Sequence, residues 1–510
     1  MNMRLSVNSI AEAVSGRVIG NNFKGTDKEF SGLFTVLNSA KEGDIVIRHW
    51  INEKGVRMAN EKGVLAIITE NILENSIEIA EKLEFPIIIV DKIEYANGFA
   101  LEYTLNLFGD KSKKIIVSGT NGKSTTSHLI YHILYNMGVN VVTNTDSMSE
   151  FNTLIDPMVS KLISDYGKNN KQIDYVVIEV SEVQGWVNRL MKNHAYIMTK
   201  STDPDATVIT NMAMDHIGLV NSIDEIYDEI SGVVKATNKG TIVLNINDSL
   251  VKSLKDLKND KVKDFYFSYV DNFDDEFDLI NGNGRDNIVL FDSYKNVVSY
   301  EGKDILNLDE IPFKSKHFIE NILAAISTCI NLDIPLNDII RGITSYKPLK
   351  RRFTKLNKSP LVIDDFAHNP DGIKATIDAI SKINSKQNGI LWIVSAIRGS
   401  RGIGINELNS QALSDSILSC KNSGMDVRLI VSNSSDVVDG LNIVKLNEET
   451  AFLKVLNENK IDFIHFDRLY DGLSQVYNNA KSGDSILLIG AQGMDPAEEV
   501  LKIIKDEDDS

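Results

Sequence analysis

Gly119-Thr120-Asn121-Gly122-Lys123-Ser124 gathers two glycines three apart, a lysine and a hydroxyl within six residues, and Thr125 extends the hydroxyl run. That grouping suits phosphate. The glycines let backbone N–H groups curl around phosphate oxygens, Lys123 reaches the outer phosphates, and Ser124 at a helix start can hold Mg²⁺. The general form of such a loop has a further glycine five positions before Gly122, where this chain has Val117. Two more candidates stand after apolar runs. Glu179 closes Tyr175-Val176-Val177-Ile178, and Asp215-His216 follows Thr207-Val208-Ile209-Thr210-Asn211. A carboxylate beside the loop would complete a magnesium site, because Mg²⁺ favours hard oxygen ligands shared with phosphate. Alone, a strand-end glutamate is more often solvated, and His216 reads equally well as a packed surface histidine.

These residues need a scaffold. Ile115 to Ser118 reads as a buried strand, since apolar β-branched residues run together without alternation. Leu129, Ile130, Ile133, Leu134 and Met137 then recur at helical spacing. Ligands gather at the carboxyl ends of parallel strands, so Glu179 is expected near the loop. Residues 1–112 alternate short strands (from Ile45, 64–69, 86–90) with helices (52–62, 72–83), a small α/β unit. Within it Arg48, His49 and Trp50 follow a strand, where a surface turn is the commoner reading and a ligand-facing cluster the rarer. Residues 255–306 are polar and acidic and predict a small antiparallel sheet at the edge of the central unit. Residues 506–510 predict a frayed end.

Composition narrows the partners. The chain has 510 residues, 43% hydrophobic, which is enough for two or three separate cores. A net charge of -17 argues against nucleic acid or an anionic membrane surface, so an anionic substrate must meet local cations. Cys329 and Cys420 lie far apart and outside any metal-type spacing, which suits a reduced compartment. With no apolar run long enough for a signal peptide or a membrane span, a cytoplasmic protein, expected as a monomer, follows.

Other segments carry a resemblance. His317-Phe318-Ile319-Glu320-Asn321-Ile322-Leu323-Ala324-Ala325, Lys350-Arg351-Arg352-Phe353 and Val362-Ile363-Asp364-Asp365-Phe366-Ala367-His368-Asn369-Pro370-Asp371 join the shortened phosphate loop. Together they resemble the Mur ligases, ATP-dependent ligases that add amino acids to cell-wall precursors, and their folylpolyglutamate and cyanophycin synthetase relatives. The resemblance covers most of the chain and implies a three-domain α/β architecture. It implies an N-terminal substrate-binding domain (1–112), a central P-loop ATPase domain (113–346) and a C-terminal Rossmann-like ligase domain (347–510). It implies ATP and Mg²⁺, with Gly119 to Thr125, Asn321, Arg352 and Asp365 around the nucleotide. Ser124, Glu179 and His216 would hold magnesium, and Lys123, Glu179, His216 and Arg352 would serve the reaction. That reaction passes phosphate from ATP to a substrate carboxylate, and an amine displaces it. The substrates implied are an amino acid and a nucleotide-linked peptide acceptor.

The departures bear on the substrate. Many members carry a carbamylated lysine on the helix after the magnesium histidine. Here residues 217–234 contain no lysine and Lys235 comes late. Lys235 could serve, or Glu225, Asp228 or Glu229 could stand in; the favoured expectation is that the site does without. An Asp-Asn-Pro-Arg segment is missing, although Ser395 to Gly402 keeps a Gly-x-Arg, and Gly490-Ala491-Gln492-Gly493 stands where many members have Gly-Lys-Gly-His. This mixture suggests an archaeal pseudomurein peptide ligase. A folylpolyglutamate- or cyanophycin-type ligase is the alternative, against which the 1–112 segment weighs. A non-catalytic ATP-binding switch is a third reading, against which the Asp365-Phe366-Ala367-His368-Asn369-Pro370-Asp371 segment weighs.

Overall fold

The computed structural model describes residues 5–19, 30, 32–145, 156–169, 172–186, 189–215, 219–271, 287–311, 315–385, 389–440 and 442–508. Three large sheets follow one another along the chain. The first is built from Val7–Ala13 (α1), Arg17–Ile19 (β1), Phe34–Thr35 (β2), Ile45–Ile51 (β3), Glu53–Glu61 (α2), Ala66–Ile72 (β4), Ser76–Lys82 (α3), Ile87–Ile89 (β5) and Ile93–Phe108 (α4). Its strand order is β1-β5-β4-β3-β2, with β1 alone antiparallel. Arg48, His49 and Trp50 are part of β3 and do not form a surface turn. Partners across and along the strand explain why it continues. The Arg48 guanidinium lies 4.4 Å from the Trp50 ring centroid, and His49 Nδ1 is 3.3 Å from Glu70 on β4.

The second unit comprises Lys113–Ser118 (β6), Lys123–Asn136 (α5), Val141–Thr143 (β7), Asp156–Asn169 (α6) and Tyr175–Glu179 (β8). A hairpin follows, Gly185–Trp186 (β9) and Arg189–Leu190 (β10), then His194–Thr202 (α7), Ala206–Ile209 (β11), Ile223–Ala236 (α8), Thr241–Asn245 (β12) and Ser249–Ser253 (α9). Lys263–Val270 (β13), Ile288–Asp292 (β14), Val297–Tyr300 (β15), Lys303–Asn307 (β16), Lys316–Asn331 (α10) and Leu336–Thr344 (α11) complete it. The order is β16-β15-β14-β13-β12-β11-β6-β8-β7. From β6 the chain moves first to one side, through β7 and β8, and later to the other at β11. This reversal opens a crevice at the strands' carboxyl ends. Alternation fixes the layers: Ile115 and Val117 pack with Ile130, Ile133 and Ile322, while Ile116 packs with Met198 and Ile230 on the opposite face.

The small antiparallel sheet expected at the edge in residues 255–306 is corrected in its first half. β13 and β14 extend the central sheet in parallel, and only β15 and β16 turn back. Phe265, Tyr266 and Phe267 of β13 are all buried, the mark of a strand covered on both faces. Most of the acidic run, 272–280, lies outside the described residues.

The third unit runs Thr354–Lys358 (β17), Leu361–Asp365 (β18), Pro370–Asn384 (α12), Leu391–Ala396 (β19), Ile403–Asn422 (α13), Val427–Ser432 (β20) and Leu446–Glu458 (α14). Phe463–Phe466 (β21), Leu469–Asn479 (α15), Ser485–Ile489 (β22) and Ala497–Asp508 (α16) complete it, so helix occupies 506–508 of the residues expected to fray, while 509 and 510 lie outside the described residues. Its order is β17-β18-β22-β19-β20-β21, parallel except for β17. Among the described residues no helix is long and apolar enough to cross a membrane.

Candidate active site

The phosphate loop joins β6 to α5 and is fastened by the end of β11. Gly119 and Gly122 have φ of 123° and 82°, a region that side chains other than hydrogen rarely adopt. Space forbids a side chain as well: a Cβ would lie 2.2 Å from Thr210 Oγ1 at Gly119 and 2.1 Å from Asn321 Oδ1 at Gly122. Thr120 N–H donates to the Asn211 carbonyl (2.9 Å) and Asn121 N–H to Asn211 Oδ1 (2.8 Å). The Asn121 carbonyl accepts from Thr210 Oγ1 (2.7 Å) and Asn211 Nδ2 (2.9 Å). Two loop amides are therefore spent on the protein. The first N–H groups of α5, from Lys123 onward, have no helical carbonyl behind them and point the helix's positive end out of the loop.

The Lys123 side chain is only 12% exposed, and Nζ donates to the Thr120 carbonyl and Glu182 Oε2, both at 2.7 Å. Burial alone would pull this ammonium down, but Glu182, Glu179 and Asp215 outweigh it and its pKa ends above the ordinary lysine value. Ser124 Oγ donates to Glu179 Oε1 (3.0 Å), and Thr145 Oγ1 donates to Glu179 Oε2 (3.2 Å). Asn144 clamps the Glu179 backbone at both its N–H and its carbonyl. Burial pushes the Glu179 carboxyl up, and Lys123, Arg352, Ser124 and Thr145 restrain the rise.

The third unit closes over this floor. Arg352 Nη2 donates to Ser124 Oγ (3.2 Å), directly beside Glu179. Its neighbour Arg351 turns the other way. Buried, it binds Asp364, Asp495 and the carbonyls of Gly490 and Ala491. Asp365 accepts from Phe353 N–H (2.6 Å), Ala367 N–H (2.9 Å) and Thr376 Oγ1 (3.1 Å), which orders the loop after β18. Asn369 caps α12 through Gly372 N–H (2.8 Å) while its Nδ2 donates to Asn121 Oδ1 (2.9 Å) and Asp215 Oδ2 (3.1 Å). Arg398 Nη1 reaches Asp215 Oδ1 (3.3 Å), and His368 Nε2 lies 3.5 Å from Oδ2. Between the units lies a cleft of about 840 Å³ whose lining includes Gly122, Thr125, Asn321, Arg352 and Asp365.

The structure thus gathers Gly119 to Thr125, Glu179, Asp215, Asn321, Arg352 and Asp365. Asn121 differs from expectation, because its amide, carbonyl and side-chain oxygen all serve protein partners. His216 lies outside the described residues. Lys235 is exposed on the last turn of α8. Glu225 and Glu229 accept from the backbone N–H groups of Asn221 and Asn193. Sequence reasoning missed Glu182, Thr145, Asn144 and Arg398. Only Glu182, three residues after Glu179, offered a signal.

Residues 117–329 match the Mur ligase middle domain, and residues 351–492 the Mur ligase, glutamate ligase domain. The chain belongs to the Mur ligase family. Mur ligases are ATP-dependent, ADP-forming amide ligases of cell-wall peptide synthesis. As one of them this chain is an ATP-dependent enzyme of that class, acting on small-molecule substrates. A similar relative, the UDP-N-acetylmuramate–L-alanine ligase of Rickettsia felis, is 26% identical over 442 residues, covering 83% of this chain and 80% of the relative. Among solved structures, MurF from Acinetobacter baumannii superposes with a TM-score of 0.67 at 17% identity, covering 99% of both chains. A pseudomurein peptide ligase type C from Methanothermus fervidus gives 0.55 at 19% identity, covering 90% of this Mur ligase and 100% of that chain. A bifunctional folylpolyglutamate synthase/dihydrofolate synthase, solved with Mn, AMPPNP and L-glutamate, gives 0.55 at 17% identity over 80% and 94%.

Proposed function

We propose that this Mur ligase adds an amino acid to a UDP-linked cell-wall peptide precursor, using ATP and Mg²⁺, as a cytoplasmic monomer. Its three domains would span 1–112, 113–346 and 347–510. The observation that carries the reading is the meeting of Arg352 from the third unit with Ser124 and Glu179 from the second at one cleft. Phosphoryl transfer to a carboxylate asks mainly for charge neutralisation and alignment. Lys123 and Arg352 supply cations from opposite walls, and Asn321 and Asp365 flank the nucleotide's place.

The donor set fits magnesium. Ser124 and Glu179 offer hard oxygens at the helix start, and His216 is the further ligand proposed. Bound there, the ion would neutralise phosphate charge. The acceptor carboxylate attacks the γ-phosphorus, ADP leaves, and the amine then attacks the acyl carbon and expels phosphate after losing its proton. Seating of the third unit on the second excludes water from the acyl phosphate. Exposure of Lys235 supports the reading that no carbamate is used.

The full-length likeness to MurF favours a peptide-adding ligase over the folylpolyglutamate type, which covers less of this chain. The likeness to the pseudomurein peptide ligase supports a second acceptor class, the pseudomurein precursors. A phosphate-release screen of amino acids against UDP-linked murein and pseudomurein peptides decides between them. Phosphate release requiring both an acceptor and an amine supports the reading; release with neither, or none at all, overturns it.

A further inference from the structure

The phosphate-loop helix carries a second row of side chains that the reaction leaves unexplained. Ser124, His128, His132 and Asn136 recur every four residues and so share one face of α5. Each has a partner in residues 345–352, the segment that carries the chain from α11 into the third unit. Arg352 reaches Ser124, the Tyr346 hydroxyl lies 3.1 Å from His128 Nδ1, and Ser345 Oγ meets His132 Nε2 (3.2 Å) and Asn136 Nδ2 (3.1 Å). Tyr346 is 3% exposed, with its ring angled to both imidazoles at centroid distances of 5.5 and 5.4 Å. Gly342 allows this close approach. A Cβ there would stand 2.7 Å from Ile133 Cγ1 and 2.8 Å from its Cα.

We infer that Tyr346, held by His128, is a positioning residue that sets the reach of Arg352 to Ser124. The two lie six positions apart, and both anchor on the same helix one turn apart, so the intervening backbone is held at each end. Burial raises the Tyr346 hydroxyl, which keeps its proton, and burial, with His132 beside it, lowers His128 to about 4, leaving a neutral ring. In the tautomer with its proton on Nε2, Nδ1 accepts from the hydroxyl. Without that anchor Arg352 still exists but samples other rotamers, and the entropy of fixing it falls on nucleotide binding.

This inference rests on Arg352 contacting the nucleotide. Binding of AMPPNP with Mg²⁺ by titration calorimetry tests it on the full chain, in wild type, Tyr346→Phe, Arg352→Ala and the double variant. Tyr346→Phe should weaken binding about fivefold to tenfold, a change of about 1–1.4 kcal/mol, yet add nothing in the Arg352→Ala background. His128→Phe should reproduce Tyr346→Phe, and His128→Asn, whose Oδ1 stands where Nδ1 was, should restore binding. Additive losses, or wild-type binding by Tyr346→Phe, overturn the positioning role while leaving Arg352's own role intact. Wild-type binding by Arg352→Ala overturns both.

Discussion

The second unit meets its neighbours at two junctions of different character. Toward the first unit, Arg189 of the β9–β10 hairpin binds Glu70 on β4 and Glu94 on α4, and Glu70 also meets His49. These charges satisfy one another. Toward the third unit, Asp215 gathers Arg398, Asn369 and His368, and Arg352 lands on Ser124, around a cleft with room for a nucleotide. One junction spends its polar groups on holding two bodies together. The other holds its bodies by a few contacts at the rim and leaves the strand ends facing the cleft. The difference is that between a mount and a jaw.

Removing Lys123 should break the jaw most severely. Lys123→Ala is expected to lower ATP turnover by at least about 10³-fold in a phosphate-release assay. It should also lower stability by roughly 3 kcal/mol in urea, because it leaves Glu182 buried without its cation. Lys123→Ala/Glu182→Gln should recover the stability and none of the turnover. Recovery of turnover would show that the lysine serves Glu182 alone.

Asp215→Asn keeps the shape but removes the charge that seats Arg398. Turnover should fall about tenfold while AMPPNP affinity changes less than threefold, since the groups around the nucleotide stay in place. Equal losses in both would assign Asp215 to nucleotide binding. At the mount, Arg189→Ala should cost about 1–2 kcal/mol of stability and leave AMPPNP affinity unchanged. A large loss of that affinity would mean the two junctions are coupled.

A last effect is on pH. Burial raises Asp364 to about 6 against the pull of Arg351, with Asp365 and Asp495 adding to the rise. A carboxyl raised on folding contributes stability that is fully present below its unfolded value near 3.9 and is lost as pH rises through about 6. Wild type should therefore lose melting temperature relative to Asp364→Asn between about pH 4 and 7. A constant difference across that range would remove Asp364 from the account.

Much of the jaw's floor could be read in the sequence, because each part is local. Ile115 to Ser118, the glycines and the helix spacing are contiguous, and Glu179 ends a plain apolar run. The pairings were not legible. Glu182 reads as one more acidic residue until the fold sets it 2.7 Å from Lys123. Arg398 finds Asp215 across 183 positions of chain. The acidic flanks of β13 hid its apolar run, Phe265 to Phe267, which the fold buries on both faces. At β3, polar side chains concealed a strand that continues because Trp50 along it and Glu70 across from it supply partners.

The fastening of the phosphate loop by Thr210 and Asn211 has a thermodynamic consequence. Six hydrogen bonds with one strand end already hold Thr120, Asn121 and their neighbours in shape. Nucleotide then meets a loop whose ordering was settled during folding, and association carries little conformational penalty there. The heat-capacity change on nucleotide binding should reflect surface covered in the cleft and seating of the third unit, with no contribution from a loop that folds around its guest.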